Sequence, residues 1–219
     1  MNENPGAVTQ AQQAYRELER MIVTLELPPG CRISEKSMSK RLGVGRTPVR
    51  EAMQRLAREG TLRIMPRAGA IVSEIDISDQ FKLIEVRRGI ERVMARRAAR
   101  LADDRTRQCF TDLAERFASA ARENDESIFI AADRDFNQLL STAADNGYAT
   151  LAMAPIQAQT RRFWFLNFRK FGDLRKVSLL HAEVARAIAA NDPDKAEQAS
   201  DRLLDYVEEY TRATMEALL

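Results

Sequence analysis

Residues 43–60 read GVGRTPVREAMQRLAREG, a strongly helical stretch that opens with two arginines around a Thr-Pro pair. Val49, Ala52, Met53 and Leu56 recur at helical spacing and form one apolar stripe, with Glu51 and Arg55 four apart on the wet side. The stripe needs only a core to pack on. Thr47 reads as the N-cap and Pro48 as the first helical residue, so that Arg46 lies beside the cap and Arg50 in the first turn. Cations at that end oppose the helix dipole by a few tenths to about 1 kcal/mol each, which points to an anionic partner arriving there.

Working outward, Ala14, Leu18, Met21, Ile22 and Leu25 step by three and four residues within Thr9–Leu25. They predict a first helix stopped by Leu27-Pro28-Pro29-Gly30. Ser34 caps a short second helix with Met38 and Leu42 as its apolar positions and Gly43 at its end. Only Val44, Gly45 and Arg46 separate it from Thr47, the spacing of a helix-turn-helix. Beyond Gly60, Leu62 and Ile64 alternate, Pro66-Arg67-Ala68-Gly69 punctuates and Ile71-Val72 resumes, a β-hairpin signal.

From Asp79 onward there is no strand pattern, only amphipathic stretches divided by short breaks. Six helices are expected near 78–102, 104–123, 126–144, 147–170, 173–190 and 193–217. The fold class is therefore mainly α: a winged helix-turn-helix with a small β-hairpin wing over residues 1–74, then an all-α antiparallel bundle of about six helices over 78–219. The short polar link Ser73–Ser78 joins them.

Composition fits two modest soluble domains: 219 residues, 45% hydrophobic, net charge +2. Residues 1–74 carry twelve Lys and Arg against eight Asp and Glu, and the remainder 22 against 24, so the basic excess sits in the first third. No apolar run approaches the length of a membrane span, and MNENPGAVTQ lacks the pattern of a signal peptide, which makes the expected location cytoplasmic. Cys31 and Cys109 suggest no disulfide framework and read as small buried or half-buried side chains. With one histidine no Cys/His zinc cluster can be assembled.

LPPGCRISEKSMSKRLGVGRTPVREAMQRLAREG followed by PRAGAIV resembles the winged helix-turn-helix of the GntR family of bacterial transcription regulators. Pro29-Gly30, the run Arg46-Thr47-Pro48-Val49-Arg50-Glu51-Ala52 and the wing Gly69 carry the resemblance. The helical remainder is similar to the FadR-type effector (FCD) domain through VRRGIE (86–91), DRDFNQLL (133–140), Asn146 and HAEVARAIAANDPDKA (181–196). Double-stranded DNA is the implied partner. Arg46 and Arg50 lie four apart, off the apolar stripe, and suit a major groove where arginine pairs bidentately with guanine O6 and N7. The resemblance adds Thr47 as a phosphate or base contact, Lys36 at the start of the second helix, and Arg67 with Gly69 at the wing tip. Gly45 departs from the family's usual serine or threonine, which removes one hydrogen bond to phosphate.

In the effector domain, Asp133 and Asn137 are four apart and project from one helix face toward the bundle interior. In metal-binding relatives the resemblance places histidine where this chain has Asn137 and Leu203, and a third where it has His181. Two imidazoles of three are missing. No metal or other cofactor is therefore expected, with Asp133 and His181 as the residual metal-capable pair. The pocket of such relatives takes small carboxylates or acyl compounds, and Arg87, Arg161 and Arg162 are the candidate partners of a small organic acid beside Asp133, Asn137 and His181. Salt bridges to Glu91, Asp133 or Asp135 are the structural alternative for those arginines. Phe163, Trp164, Phe165, Phe168 and Phe171 read as core or dimer packing rather than a ligand cage.

The resulting expectation is a homodimeric repressor, not an enzyme, that binds a pseudo-palindromic operator of a catabolic or transport operon and senses a small organic acid. An architectural DNA-binding protein without effector is the first alternative. An all-helical metalloenzyme is the second; its ferritin-like form would require Glu-x-x-His, but Ser178 stands three before His181.

Overall fold

The computed structural model describes residues 9–218, apart from the Arg169 side chain. The reading of the first ten residues as no signal peptide falls almost wholly outside them. The elements run α1 (Gln10–Val23), β1 (Arg32–Ile33), α2 (Glu35–Leu42), α3 (Arg46–Arg58), β2 (Leu62–Met65), β3 (Gly69–Val72), α4 (Ile77–Leu101), α5 (Asp104–Glu123), α6 (Glu126–Ala144), α7 (Gly147–Phe171), α8 (Leu174–Ala189) and α9 (Pro193–Leu218). The expected fold class is what forms. Two compact units result, one made of the residues up to Asp76 with Ala154–Leu166, the other of Ile77–Met153 with the residues from Asn167 on. The middle of α7, assigned above to the bundle, thus groups with the winged unit.

In the first unit, the α3 stripe of Val49, Met53 and Leu56 closes on Ala14, Leu18 and Ile22 of α1, with Leu62 and Val72 of the sheet completing the core. Each such large side chain contributes about 1.5–3 kcal/mol by leaving water. The sheet order is β1-β3-β2, antiparallel, with Ile33 opposite Ala70 and Met65 opposite Gly69. β1 escapes a reading by periodicity because two residues carry no alternation. Arg55 pairs not with Glu51 but with Glu59, Nε to Oε1 at 3.0 Å, and its guanidinium lies 3.6 Å over the Tyr15 ring. The Tyr15 hydroxyl donates to Glu59 Oε2 at 2.9 Å, which ties α1 to the end of α3.

The helix-turn-helix is set by caps. Ser34 and Ser37 form a capping box for α2, and Gly43 closes it in the left-handed conformation. Ser39 Oγ then donates to the Val44 carbonyl at 2.6 Å, which holds the turn. The start of α3 differs from expectation: Gly45, extended at φ −61°, is the N-cap, and Arg46, Thr47 and Pro48 are the first three helical residues. Pro48 is tolerated there because none of the first four N–H groups of a helix has an intrahelical acceptor. Thr47 is therefore released from capping.

In the second unit, α4 packs on α9 and α6, α5 on α8 and α6, and α8 on α9. Phe110, Phe117, Phe129 and Phe136 fill the α5–α6 contact. Cys31 is half-buried as expected, but Cys109 is exposed on the outer face of α5. Asp103, Asp125, Asn146 and Asp173 cap the following helices through their side chains.

Asp125 accepts from the hydroxyl and N–H of Ser127 and from the N–H of Ile128. These bonds, the Ser127 hydroxyl foremost, hold its carboxyl below the ordinary aspartate value. A depressed folded pKa contributes stability that is complete above the unfolded value, about 3.9, and is lost as pH falls through the lower folded one. Asp125→Ala is accordingly expected to lower the melting temperature at pH 7, as loss of a cap does. The gap to wild type should close as thermal melts are taken below pH 4; a gap constant down to pH 2 would remove the carboxylate from the explanation.

Candidate nucleic-acid interface and effector site

α2, the turn and the first turns of α3 present Lys36, Arg46, Thr47 and Arg50, all exposed. Arg50 is the most constrained: its Nε and Nη2 donate to the two Glu35 carboxylate oxygens at 2.7 and 2.8 Å. The hydrogen bonds from Arg50 hold the Glu35 carboxyl below the usual range, with Arg46 adding to the field. The start of α2 and the start of α3 are thereby joined by one ion pair. The wing comes to the same end of the unit because β1, which leads through Ser34 into α2, pairs with β3.

At the wing tip Arg67 is exposed and left-handed at φ +64°. Gly69 differs. It faces inward at φ +93°, where a Cβ would collide with the Ile33 carbonyl. The missing side chain lets the hairpin close against β1 so that Arg67 projects.

The second set lies in the helical bundle. His181, on α8, donates from Nδ1 to the Val177 carbonyl at 2.8 Å if that nitrogen carries the proton, which turns Nε2 toward Asp133 Oδ1 of α6 at 3.5 Å. Asn137 Nδ2 donates to the Asp133 carbonyl at 2.8 Å and to Oδ1 at 2.9 Å. Asp133, Asn137 and His181 thus converge. The imidazole is 7% exposed and stands among the rings of Phe117, Phe129 and Phe136, at 5.0, 5.3 and 6.0 Å between centroids. Three residues before His181, on the same face of α8, Ser178 is fully buried and its Oγ finds no partner among the described residues. Sequence reasoning used Ser178 only to dismiss a motif; an unpaired buried hydroxyl has no signature along the chain.

Each of the three candidate arginines has an acidic or carbonyl neighbour of its own. Arg87 is spent on Glu91, Nε to Oε1 at 2.6 Å, the two side chains 14% and 8% exposed. Arg162 is buried in the first unit and donates from Nη2 to the Ser73 carbonyl. Burial pushes its pKa down, with Glu74 pulling the other way. Arg161, in the same stretch of α7, contributes its charge to Glu19. Asp135, an alternative partner, is held by Arg116 at 2.9 Å and Arg134 at 3.3 Å. Phe163 and Phe168 are buried, and Trp164, Phe165 and Phe171 half-buried, in keeping with packing.

The donor set does not fit the three-histidine metal site that the FCD resemblance implies. Leu203, at one missing imidazole, is 2% exposed hydrocarbon, and the Asn137 amide points its N–H groups at Asp133. Among the described residues no three His, Cys, Asp or Glu side chains come together in a way that would hold a metal ion.

Residues 10–72 match the family described as bacterial regulatory proteins, gntR family, and residues 82–206 match the FCD domain. The HTH-type transcriptional repressor RspR of Escherichia coli K12 is 32% identical over 205 residues, covering 92% of this chain and 88% of RspR. The chain belongs to the GntR family. It is a transcriptional regulator of the FCD type, and Lys36 to Gly69 fall inside the matched GntR segment, Asp133 and His181 inside the FCD segment. A protein of Paenarthrobacter nicotinovorans named "Probable D-xylose utilization operon transcriptional repressor" is 26% identical, covering 94% of this chain and 89% of that one. Among solved structures, E. coli McbR/YncC superposes with a TM-score of 0.81 at 18% identity, covering 94% of this chain and 98% of that one, which shows the same fold. These GntR relatives are named as regulators and not as enzymes, and no helix among the described residues is long and apolar enough to cross a membrane.

Proposed function

We propose that this GntR regulator is a cytoplasmic homodimeric repressor of a catabolic or transport operon, released from its operator by a small organic effector. Residues 1–74 form the DNA-binding domain and residues 78–219 the effector and dimerisation domain. Arg46, Thr47 and Arg50 enter the major groove, Lys36 holds phosphate, and Arg67 reaches toward the minor groove. One such helix reads only a few base pairs, so two related by a twofold axis are needed, and the operator is a pseudo-palindrome.

The observation that supports the effector reading is the convergence of half-buried Asp133 and Asn137 on His181, whose imidazole is buried among phenylalanine rings, with the unpartnered buried hydroxyl of Ser178 one turn earlier on the same helix. Buried polar groups without partners are costly, and a ligand that supplies them binds selectively. A small organic acid is the ligand class of the FCD resemblance, held here by His181 and Ser178. A second reading, a neutral hydroxylated molecule, is favoured by Arg87 being committed to Glu91 and by the Asp133 carboxylate, which repels anions and accepts from hydroxyls. The name of the Paenarthrobacter relative, with its D-xylose operon, is compatible with that class. No metal is required in either.

The test is a thermal-shift screen of the full chain against carboxylic acids and polyols. A true effector at about 100 times its Kd adds about 2.7 kcal/mol, a rise of roughly 5–10 °C. His181→Ala should abolish that rise, and the same compound should release the protein from inverted-repeat duplexes recovered from a random pool. A protein that recovers no inverted repeat, or that no compound of either panel stabilises, would contradict the proposal.

A further inference from the structure

Glu35 is the first residue of α2, fixed by the Ser34–Ser37 capping box, and its carboxylate grips Arg50 from fifteen residues away. Both side chains remain reachable from solvent, at 57% exposure for Arg50 and 32% for Glu35. The way they meet matters. A planar guanidinium carries five N–H groups. The carboxylate takes the side-on pair, Nε–H and one Nη2–H, at 2.7 and 2.8 Å. What remains is the end-on edge, with two parallel N–H groups on Nη1 and Nη2, the pair that fits guanine O6 and N7.

We propose that Glu35 is the positioning residue that determines DNA specificity at Arg50: it holds the side-on edge of the guanidinium so that the end-on edge is presented, already oriented, to one guanine. The proposal rests on the reading of Arg50 as a groove contact. Two consequences separate Glu35 from a bystander. An arginine with four free side-chain torsions must be ordered when it binds, and a gripped one has that ordering done in advance, which favours the correct base over others. The carboxylate also faces the phosphates of any duplex and repels them, which weakens binding where no guanine compensates. Glu35 therefore raises the ratio of specific to non-specific binding from both sides.

The experiment uses the full chain with pools of randomised duplexes, followed by Kd measurements on the recovered consensus, on single-base variants of it and on an unrelated duplex. Arg50→Ala should erase the preference for guanine at one position of each half-site. Glu35→Gln keeps the shape but replaces one accepting oxygen with a donor; at that same position its guanine preference should fall about tenfold, while its affinity for the unrelated duplex rises. Glu35→Asp keeps the charge but not the reach, and should lose the preference without the rise. Matching melting temperatures for the three variants establish that each is folded. If Arg50→Ala loses the guanine preference but Glu35→Gln and Glu35→Asp keep it within twofold, Glu35 does not position Arg50. If Glu35→Gln instead binds the consensus more tightly at unchanged preference, Glu35 competes with DNA and the proposal is overturned. An Arg50→Ala variant that keeps every preference overturns the groove reading itself, and this proposal with it.

Discussion

Arg50→Ala should weaken binding to the operator by about 1–3 kcal/mol, roughly five- to 150-fold, while leaving the fold intact. The loss is large because a bidentate arginine–guanine pair supplies two charge-assisted hydrogen bonds that no neighbour replaces. The fold survives because Arg50 lies off the stripe of Val49, Met53 and Leu56 that packs on α1. Its ion pair with Glu35 is at the surface, where solvent screens it and it adds little to stability. A phosphate contact behaves differently. Lys36→Ala should weaken all duplexes alike and reduce the salt dependence of binding by about one counterion. Footprints of Arg50→Ala with undiminished contrast between operator and flanking DNA at physiological salt would remove Arg50 from base reading.

The second large effect is expected at the wing. Gly69→Ala should destabilise the winged unit by about 3 kcal/mol, since a left-handed alanine costs about 1–3 kcal/mol and its Cβ would also collide with the Ile33 carbonyl. Relief of the collision requires β3 to move off β1, where Ile33 and Ala70 are paired. The hairpin that carries Arg67 then loses its anchor. Gly43→Ala is the control: it is also left-handed, at φ +68°, but nothing lies within 4 Å of the added Cβ, so only the backbone term of about 1 kcal/mol applies. Urea unfolding of both variants separates the two contributions. Equal losses would mean that the close approach to Ile33 contributes nothing.

What could be read along the chain is what is decided within about four residues. The capping box at Ser34, the left-handed Gly43 and the breaks before α5, α6, α7 and α9 are local exchanges between a side chain and nearby backbone groups, and the helices fall within one or two residues of their expected bounds. The i, i+4 pair Asp133 and Asn137 was legible for the same reason, as was the arginine-bearing face of α3. The cap of α3 is ambiguous along the chain because a threonine before a proline and an extended glycine two residues earlier are both acceptable starts, and the fold takes Gly45. Tertiary structure decided the rest. Glu35 reaches Arg50 across fifteen residues, Arg162 groups with the winged unit and donates to the Ser73 carbonyl, and Arg87 takes Glu91 as its partner rather than Asp133 or Asp135. A charged side chain can reach several partners, and burial and chain closure select among them; periodicity places a residue on a face but cannot say which opposite charge the folded chain will bring to it.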